Sequence, residues 1–241
     1  MQKPLLALAA TFVVGFAPLM AHADEAASPL TFNLSAVTDY KYRGISQSRR
    51  DPAYQGGADY AFDNGFYVGT WASYIKWIKD SGGKGLAEVD LYGGYKGTIS
   101  EGFSYDVGVL QYYYSNNSLP TSANTFEVYG ALTYGPATLK YSHSLTNLFG
   151  FADSKGSGYL DLSATFDIGS GFTLTPHVGH QSIHHNSYYS YTDYALTVNK
   201  DWFGLTFGLA YVDTNAKSNA YVGQGKDLSK GSIVASVKKV F

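Results

Sequence analysis

Ionisable residues in this sequence recur at alternate positions of short segments, and this spacing is the first clue to their chemistry. In residues 31–43, Asp39, Lys41 and Arg43 share one parity, and the other parity begins with Phe32 and Leu34. Successive side chains of a β-strand point to opposite faces. Carboxylates and basic groups on one face of a strand would line a surface that is in contact with water. The pattern therefore predicts strands with one polar and one apolar face.

Eleven ionisable residues on the polar parity are the candidate functional residues. They are Asp39, Lys41, Arg43, Asp59, Glu88, Asp90, Asp106, Glu127, Lys140, Asp161 and Asp193. If they line the lumen of a barrel, their acidic excess favours cations. The alternative is that they pair across strands and fill the interior, as side chains do in small barrels.

The histidines raise two further possibilities. His180 and Ser182 share the apolar face, and a histidine beside a serine could activate its hydroxyl for attack on a lipid. No third group is placed to orient His180, so no catalytic residue is predicted. His177 and His180 have opposite parity and could not share a metal ion on a regular strand. His184 and His185 fall in a loop, and neither a metal site nor any cofactor is predicted.

The composition narrows the class of protein. Charged residues make up 15% of the chain, against roughly 25% in ordinary soluble domains. The net charge of −2 argues against nucleic-acid binding, which requires a basic excess. The absence of cysteine excludes disulfides and thiolate chemistry, and the 27 glycines and 22 tyrosines favour β-structure with tight turns.

The N-terminus has the pattern of an export signal. Lys3 is followed by an uncharged apolar stretch, and Ala21-His22-Ala23 is an A-x-A cleavage site. We expect cleavage of residues 1–23, which leaves 24–241 as the mature chain. A retained N-terminal anchor is the alternative.

Alternation divides the mature chain into twelve segments. The first covers 31–43, and the others begin near Pro52, Gly65, Gly85, Gly102, Asn124, Pro136, Ser157, Phe172, Tyr191, Phe203 and Gly231. Short Gly-rich connections alternate strictly with long polar ones, which is typical of outer-membrane barrels. The short connections are expected at 63–65, 98–101, 135–136, 169–171 and 201–202. We therefore predict an all-β fold, a transmembrane antiparallel up-and-down β-barrel of about twelve strands.

Two details bear on the membrane interpretation. Aromatic residues of the apolar parity gather at both segment ends and predict two girdles. One ring comprises Phe32, Phe62, Phe103, Tyr134, Phe166, Phe172 and Phe203, and the other Tyr40, Tyr42, Tyr54, Tyr113 and Tyr211. Pro176 lies on the apolar parity of the ninth segment and would remove a ladder hydrogen bond, so we expect a local bulge there. A secreted adhesive or cross-β protein is the alternative class.

Residues 39–48, 52–60 and 65–73 resemble the TorF-type porin family, which is also described as a family of conserved exported proteins of proteobacteria. Further matches lie at 86–94, 105–109, 126–130 and 207–211. Arg43-Gly44-Ile45-Ser46-Gln47 is the most specific stretch. The resemblance implies a Gram-negative outer-membrane barrel that passes small solutes, and it transfers no catalytic residue.

The sequence therefore predicts an outer-membrane porin-like channel, not an enzyme, for passive diffusion of small hydrophilic solutes or ions. The alternatives are a non-conducting barrel that binds a partner through tyrosine-rich loops, and a lipid-acting enzyme. Expected partners are outer-membrane lipid, the solutes and the barrel-assembly machinery, but no nucleic acid. The terminal Phe241 resembles the signal read by that machinery, although Lys239 departs from it.

Overall fold

Twelve antiparallel strands form one sheet in this computed structural model, which describes residues 28–217 and 219–241. The predicted export signal lies outside the described residues. The strands are β1 Leu30–Val37, β2 Ala53–Ala61, β3 Phe66–Tyr74, β4 Ala87–Ser100, β5 Phe103–Tyr114, β6 Thr125–Tyr134, β7 Ala137–Ser144, β8 Gly158–Ala164 continued by Phe166–Gly169, β9 Phe172–Ser182, β10 Tyr191–Trp202, β11 Leu205–Thr214 and β12 Ser232–Val240.

Each strand pairs with its neighbours in sequence, and the first strand pairs with the last. In the closing ladder, Asn33 lies opposite Val240 and Val37 opposite Ser236. Closure leaves no strand of the sheet with an unpaired edge, which matters because lipid cannot hydrogen-bond free backbone groups. The predicted fold class, an up-and-down barrel of twelve strands, is confirmed.

The exterior of the barrel is apolar, with aromatic residues near both rims. Tyr134 and Phe203 lie exposed beside the short turns, and Tyr54 and Tyr211 lie exposed near the long loops. The outward-facing Lys200 places its ammonium 4.5 Å from the ring centre of Phe172, at the short-turn rim.

The first strand is shorter than predicted, because it ends at Val37 and not at Arg43. The following residues, up to Pro52, turn into the barrel interior and form a separate structure there. The prediction that Tyr40 and Tyr42 belong to the outer aromatic girdle is therefore wrong. Both face the interior, and Tyr40 is buried.

Pro176 produces no bulge, which corrects a second prediction. The pairs Ser163–His177 and Phe166–Leu174 on either side of it keep one register, and the β8 ladder is merely interrupted at Thr165. Proline lacks the N–H that a ladder bond requires.

Two of the short turns lie further along the chain than predicted. Strand β4 runs to Ser100 and turns at 101–102, and strand β10 runs to Trp202 and turns at 203–204. Both of these turns contain a glycine with positive φ, which a tight hairpin turn accepts readily.

The long connections are 38–52, 75–86, 115–124, 145–157, 183–190 and 215–231. A short α-helix, Trp77–Asp80, lies in the second of them. In the part of the chain that the structure describes, no helix is both long and apolar enough to cross a membrane.

Candidate functional site

A β-hairpin inside the barrel is the central feature of the candidate site. Residues Lys41–Tyr42 pair with Ile45–Ser46, and their strand pairing is with each other and not with the barrel strands. The turn between them, Arg43-Gly44, has φ of 46° and 79°. Two consecutive positive φ values define the type I′ geometry that suits a two-residue hairpin turn. We call residues 39–48 the lumen hairpin.

The tip of the lumen hairpin is pressed against the loop-side ends of β10 and β11. A Cβ atom on Gly44 would collide with Cγ2 of Thr214 and would lie 2.7 Å from Cβ of Asp193. Only glycine fits this approach. Arg43 is not glycine, yet it also adopts positive φ, a conformation that costs a side-chain-bearing residue about 1–3 kcal/mol. The contacts of the Arg43 side chain must offset that cost.

The Arg43 guanidinium binds the opposite wall of the barrel. Its Nη1 and Nη2 donate to the two carboxylate oxygens of Glu127 at 3.1 and 2.8 Å, and Nη1 also donates to Oε1 of Gln181 at 2.7 Å. This two-point contact is the strongest form of arginine–carboxylate pairing. The guanidinium also lies 4.3 Å from the ring centre of Tyr159 and 4.9 Å from that of Tyr42, within cation–π range.

Asp39 and Lys41 make further polar contacts of the lumen hairpin. The Asp39 carboxylate accepts hydrogen bonds from the hydroxyls of Ser46 at 2.6 Å and Ser48 at 3.2 Å. The Lys41 ammonium donates to the carbonyls of Gly44 and Lys230, and only 1% of the residue is exposed. Asp39 and Lys41 thus stabilise the hairpin from within.

Neighbouring loops bind the lumen hairpin and the residues that follow it, on the long-loop side of the barrel. Arg49 forms an ion pair with Asp80, and the Lys76 ammonium donates to Asp51 at 2.7 Å. Lys76 also lowers the pKa of the Asp51 carboxyl below its ordinary value, because the hydrogen bond favours the ionised form. The backbone N–H of Ser46 donates to the carbonyl of Leu228 at 2.9 Å.

Two further carboxylates lie on the wall near Glu127. The Tyr40 hydroxyl donates to Glu88 at 3.0 Å, whereas the other Glu88 oxygen has no partner among the described residues. Asp90 is 0% exposed, and neither of its carboxylate oxygens has a hydrogen-bond partner within that part of the chain. The wall next to the hairpin therefore holds carboxyl groups that Arg43 does not contact.

Below the hairpin, towards the short turns, side chains alone occupy the interior. The Tyr67 hydroxyl donates to Asp106 at 2.6 Å, and that of Tyr92 donates to Asp59. The Lys140 ammonium lies 4.1 Å from the ring centre of Tyr129.

A second cluster of carboxylates faces the interior from β8 and β10. Nε2 of His177 contacts Oδ2 of Asp161 at 2.6 Å, and the Tyr159 hydroxyl donates to Asp193 at 3.0 Å. His177 and Tyr159 thus link two carboxylates on different strands.

The charge of the barrel wall differs in sign from that of the loops. Between the rims, seven acidic and three basic residues face the interior from the strands: Asp59, Glu88, Asp90, Asp106, Glu127, Asp161, Asp193, Lys96, Lys140 and Lys238. The six long connections carry eleven Lys and Arg residues and five Asp and Glu residues. The strands of the wall are thus rich in acidic residues, and the long connections are rich in basic ones.

A cavity of about 410 Å³ opens above the hairpin tip and is lined by residues from all six long connections. Arg43 and Gln181 lie at its floor. Its walls are largely aromatic: Tyr42, Trp77, Tyr114, Phe149, Phe151, Tyr189, Tyr191 and Tyr221. A solute entering from the loop side would meet these rings before reaching Arg43.

The eleven predicted residues all face the interior, but they divide into two groups. Eight lie on strands, whereas Asp39, Lys41 and Arg43 belong to the hairpin that obstructs the lumen and are not part of its wall. Sequence reasoning did not select the hairpin's partners Tyr159 and Gln181. The Arg43-Gly44 pair within an alternating stretch was the available signal of a turn.

The histidine patterns lie elsewhere. His180 and Ser182 are exposed on the outer face, where Nδ1 of His180 contacts the Thr192 hydroxyl at 2.9 Å. The His184 and His185 rings stack in a loop, with centres 3.8 Å apart. Among the described residues, no group of three or more histidine, aspartate or glutamate side chains is arranged to hold a metal ion.

A closed barrel with a banded apolar exterior and a charged interior defines the class: this chain has the fold of transmembrane porins. It belongs to the Gcw_chp family, which is described as a bacterial protein of unknown function and whose model matches residues 23–241. The TorF-type resemblance stays a prediction. No curated protein matches the chain.

Solved porins share this architecture at low sequence identity. The KdgM porin superposes with a TM-score of 0.59 at 9% identity, covering 88% of this chain and 99% of its own. A complex of KdgM with disordered oligogalacturonate superposes with a TM-score of 0.59 at 8% identity, covering 88% of this chain and 99% of its own. The NanC porin superposes with a TM-score of 0.56 at 14% identity, covering 87% of this chain and 98% of its own. These likenesses establish the fold.

Proposed function

We propose that this protein is an outer-membrane channel for small hydrophilic solutes, with its short turns in the periplasm and its long loops outside the cell. The observation that carries the proposal is a closed barrel with an apolar exterior and an interior lined by carboxyl, amino and hydroxyl groups. Such an interior serves a water-filled path better than a packed core would. The porin fold supports the same function.

The lumen hairpin would control passage. It crosses the bore from the β1–β2 connection to Glu127 on β6 and Gln181 on β9, on the opposite side of the barrel. With Arg43 docked, the hairpin obstructs the bore. Because the hairpin's strand pairing is internal, its displacement would leave every ladder of the barrel intact. We infer that solute flow requires the hairpin to move or shift.

The acidic residues of the barrel wall are the proposed source of cation preference. Seven acidic residues against three lysines favour cations wherever the path is narrow. Apart from the buried Lys41 and Arg43, the basic residues of the long connections lie nearer to the solvent, where salt screens their charge. The KdgM complex contains oligogalacturonate, a polyanion, so the shared fold does not by itself extend that cargo to a barrel whose wall carries an excess of acidic residues.

Planar-bilayer recording of the refolded protein tests the proposal. Reproducible conductance steps, with a reversal potential in a KCl gradient that favours K⁺ over Cl⁻, are expected. Anion preference would show that the basic loops and not the wall set selectivity. Electrical silence from protein that keeps heat-modifiable migration, the mark of a folded barrel, would contradict the channel and favour the non-conducting alternative.

A further inference from the structure

The barrel wall contains a built receptor for a guanidinium group, and its parts come from three separate strands. Glu127 on β6 binds both terminal nitrogens of Arg43, Gln181 on β9 accepts a further hydrogen bond at 2.7 Å, and the ring of Tyr159 on β8 lies 4.3 Å away. Glu127, Gln181 and Tyr159 are all buried. A planar cation is therefore held by two hydrogen bonds to a carboxylate, by an amide oxygen and by the face of an aromatic ring.

This receptor does not depend on the hairpin for its own construction. Glu127, Gln181 and Tyr159 lie in continuous barrel ladders, whereas Arg43 reaches them from a hairpin whose two strands pair with each other. Removal of the hairpin would leave the wall groups in place and without their cation. An empty site of this kind would hold a buried carboxylate lacking its charge partner, which is unfavourable.

Arg43 is the basic side chain that contacts Glu127 directly. Two further carboxyl groups lie close to this contact. Asp90, which is buried with both carboxyl oxygens unpartnered among the described residues, lies opposite Tyr112 in the β4–β5 ladder, and the Tyr112 hydroxyl donates to Glu127 at 3.3 Å. Glu88 on the same strand has one oxygen without a partner among those residues. The neighbourhood of Glu127 therefore offers hydrogen-bond acceptors to a guest that carries several N–H groups.

An access path leads to the receptor from the loop side. The cavity of about 410 Å³ ends at Arg43 and Gln181 and has aromatic walls. Aromatic faces attract organic cations and stack on the flat guanidinium in particular. The cavity could therefore collect such a solute directly above the site that Arg43 occupies.

We propose that the Glu127–Gln181–Tyr159 site binds a small organic cation with a guanidinium head, and that Arg43 occupies it as an internal surrogate while the channel is closed. The proposal rests on the proposed channel function and names its preferred solute class. A guanidinium solute would compete with Arg43 for Glu127, release the hairpin and then occupy the path that it opens.

Chemical rescue of Arg43→Ala tests the proposal. Methylguanidinium, which reproduces the missing group, should block the current of this variant at concentrations at least about tenfold lower than methylammonium does, because only the guanidinium makes the two-point contact. Adding Glu127→Gln should abolish that difference. Arg50→Ala is the matched control, since Arg50 also has positive φ in the same connection but donates to the Lys230 carbonyl at the surface.

A second measurement works without any current. Methylguanidinium, but not methylammonium, should raise the thermal transition of detergent-folded Arg43→Ala, and neither should raise that of Arg50→Ala. Arg43→Met, which keeps the side-chain length, replaces the alanine variant if the latter does not fold. The hairpin-excised barrel described below, which leaves the wall site intact, replaces both if neither folds.

The outcomes separate the two proposals. Equal effects of the two cations would overturn the guanidinium assignment and leave only a general cation path. Absence of any effect in a conducting barrel would overturn the site. Methylguanidinium stabilisation in a barrel that never conducts would support the site and contradict the channel.

Discussion

The two halves of the lumen are filled in different ways. On the long-loop side the obstruction is a piece of backbone, the lumen hairpin. Arg43 ties its tip to Glu127 on the far wall, and Gly44 fits it against β10 and β11. On the short-turn side the obstruction consists of side chains, chiefly tyrosines bonded to Asp59 and Asp106. Side chains rearrange by rotation within their strands, whereas a hairpin leaves as a unit. The long-loop half should therefore determine whether the channel is open, and the short-turn half which ions pass.

Excision of the hairpin should have the largest effect. The backbone N–H of Gln47 donates to the carbonyl of Tyr40 at 2.7 Å, so residues 41–46 can be replaced by two glycines without separating the hairpin's base. We expect single-channel conductance to rise several-fold, because a backbone obstruction is removed. Replacing Tyr67 and Tyr92 with phenylalanine on the short-turn side is the control and should change conductance far less. Equal effects would remove the distinction between the halves.

Glu127→Gln should come next. It leaves the buried Arg43 without its carboxylate, and breaking a buried pair in this way costs about 3–5 kcal/mol. We expect the docked hairpin to lose stability by a similar amount, and opening events to become frequent in bilayer recordings. Asp106→Asn is the matched variant on the short-turn side, where the carboxylate accepts from a tyrosine hydroxyl at 2.6 Å. If the Glu127→Gln channel opens no more often than the wild type, Arg43 does not hold the hairpin in place.

Gly44→Ala isolates the fit of the hairpin tip. The new methyl group would collide with Thr214 and Asp193, and alanine also disfavours φ of 79°. We expect the docked state to be destabilised by more than the roughly 1–2 kcal/mol that a left-handed conformation costs. Gly204→Ala provides the comparison, because Gly204 has φ of 71° and a methyl group added there would meet no atom within 4 Å. Equal losses of thermal stability in the two variants would mean that crowding at the tip contributes nothing.

Neutralising the short-turn half should alter selectivity more than conductance. The double variant Asp59→Asn and Asp106→Asn removes two carboxylates from the acidic wall while preserving side-chain volume. We expect a lower K⁺-to-Cl⁻ permeability ratio from reversal potentials, with conductance steps of nearly unchanged size. A large rise in conductance would indicate that this half also acts as the barrier.

The smallest effect should come from Asp51, which ties the base of the hairpin connection to Lys76. Its pKa is lowered in the folded protein by that hydrogen bond. The stabilisation is therefore fully present above the ordinary aspartate pKa of about 4 and is lost as the pH falls through the lowered value. We expect the difference in thermal midpoint between wild type and Asp51→Asn to be small at pH 7 and to vanish at acidic pH. A difference independent of pH would show that the ion pair is not its source.

Much of the architecture was predictable because it rests on local alternation. Residues such as Leu162 and Phe207 on one parity and Asp161 on the other assign the faces of their strands without knowledge of any partner, and the structure places them accordingly. The strict alternation of short and long connections likewise indicated which end carries the loops. The third segment, which begins near Gly65, has polar and apolar residues on both parities, so its faces could not be assigned in this way. The structure turns Tyr67 and Trp71 inward.

The alternating pattern could not show where a barrel strand ends, because the alternation can continue into residues outside the barrel sheet. Residues 38–43 continue the parity of β1, yet they leave the sheet at Val37, because Arg43 finds partners 84 and 138 residues away in the sequence. Period-two patterning records only whether a side chain prefers water or lipid, and a hairpin inside a lumen has nearly the same preference as a strand around it. The amino-acid sequence by itself determined the barrel and its two faces, since these depend on neighbouring residues. Only the tertiary structure decided that Arg43 crosses the bore, since ion pairing between distant residues depends on closure of the sheet.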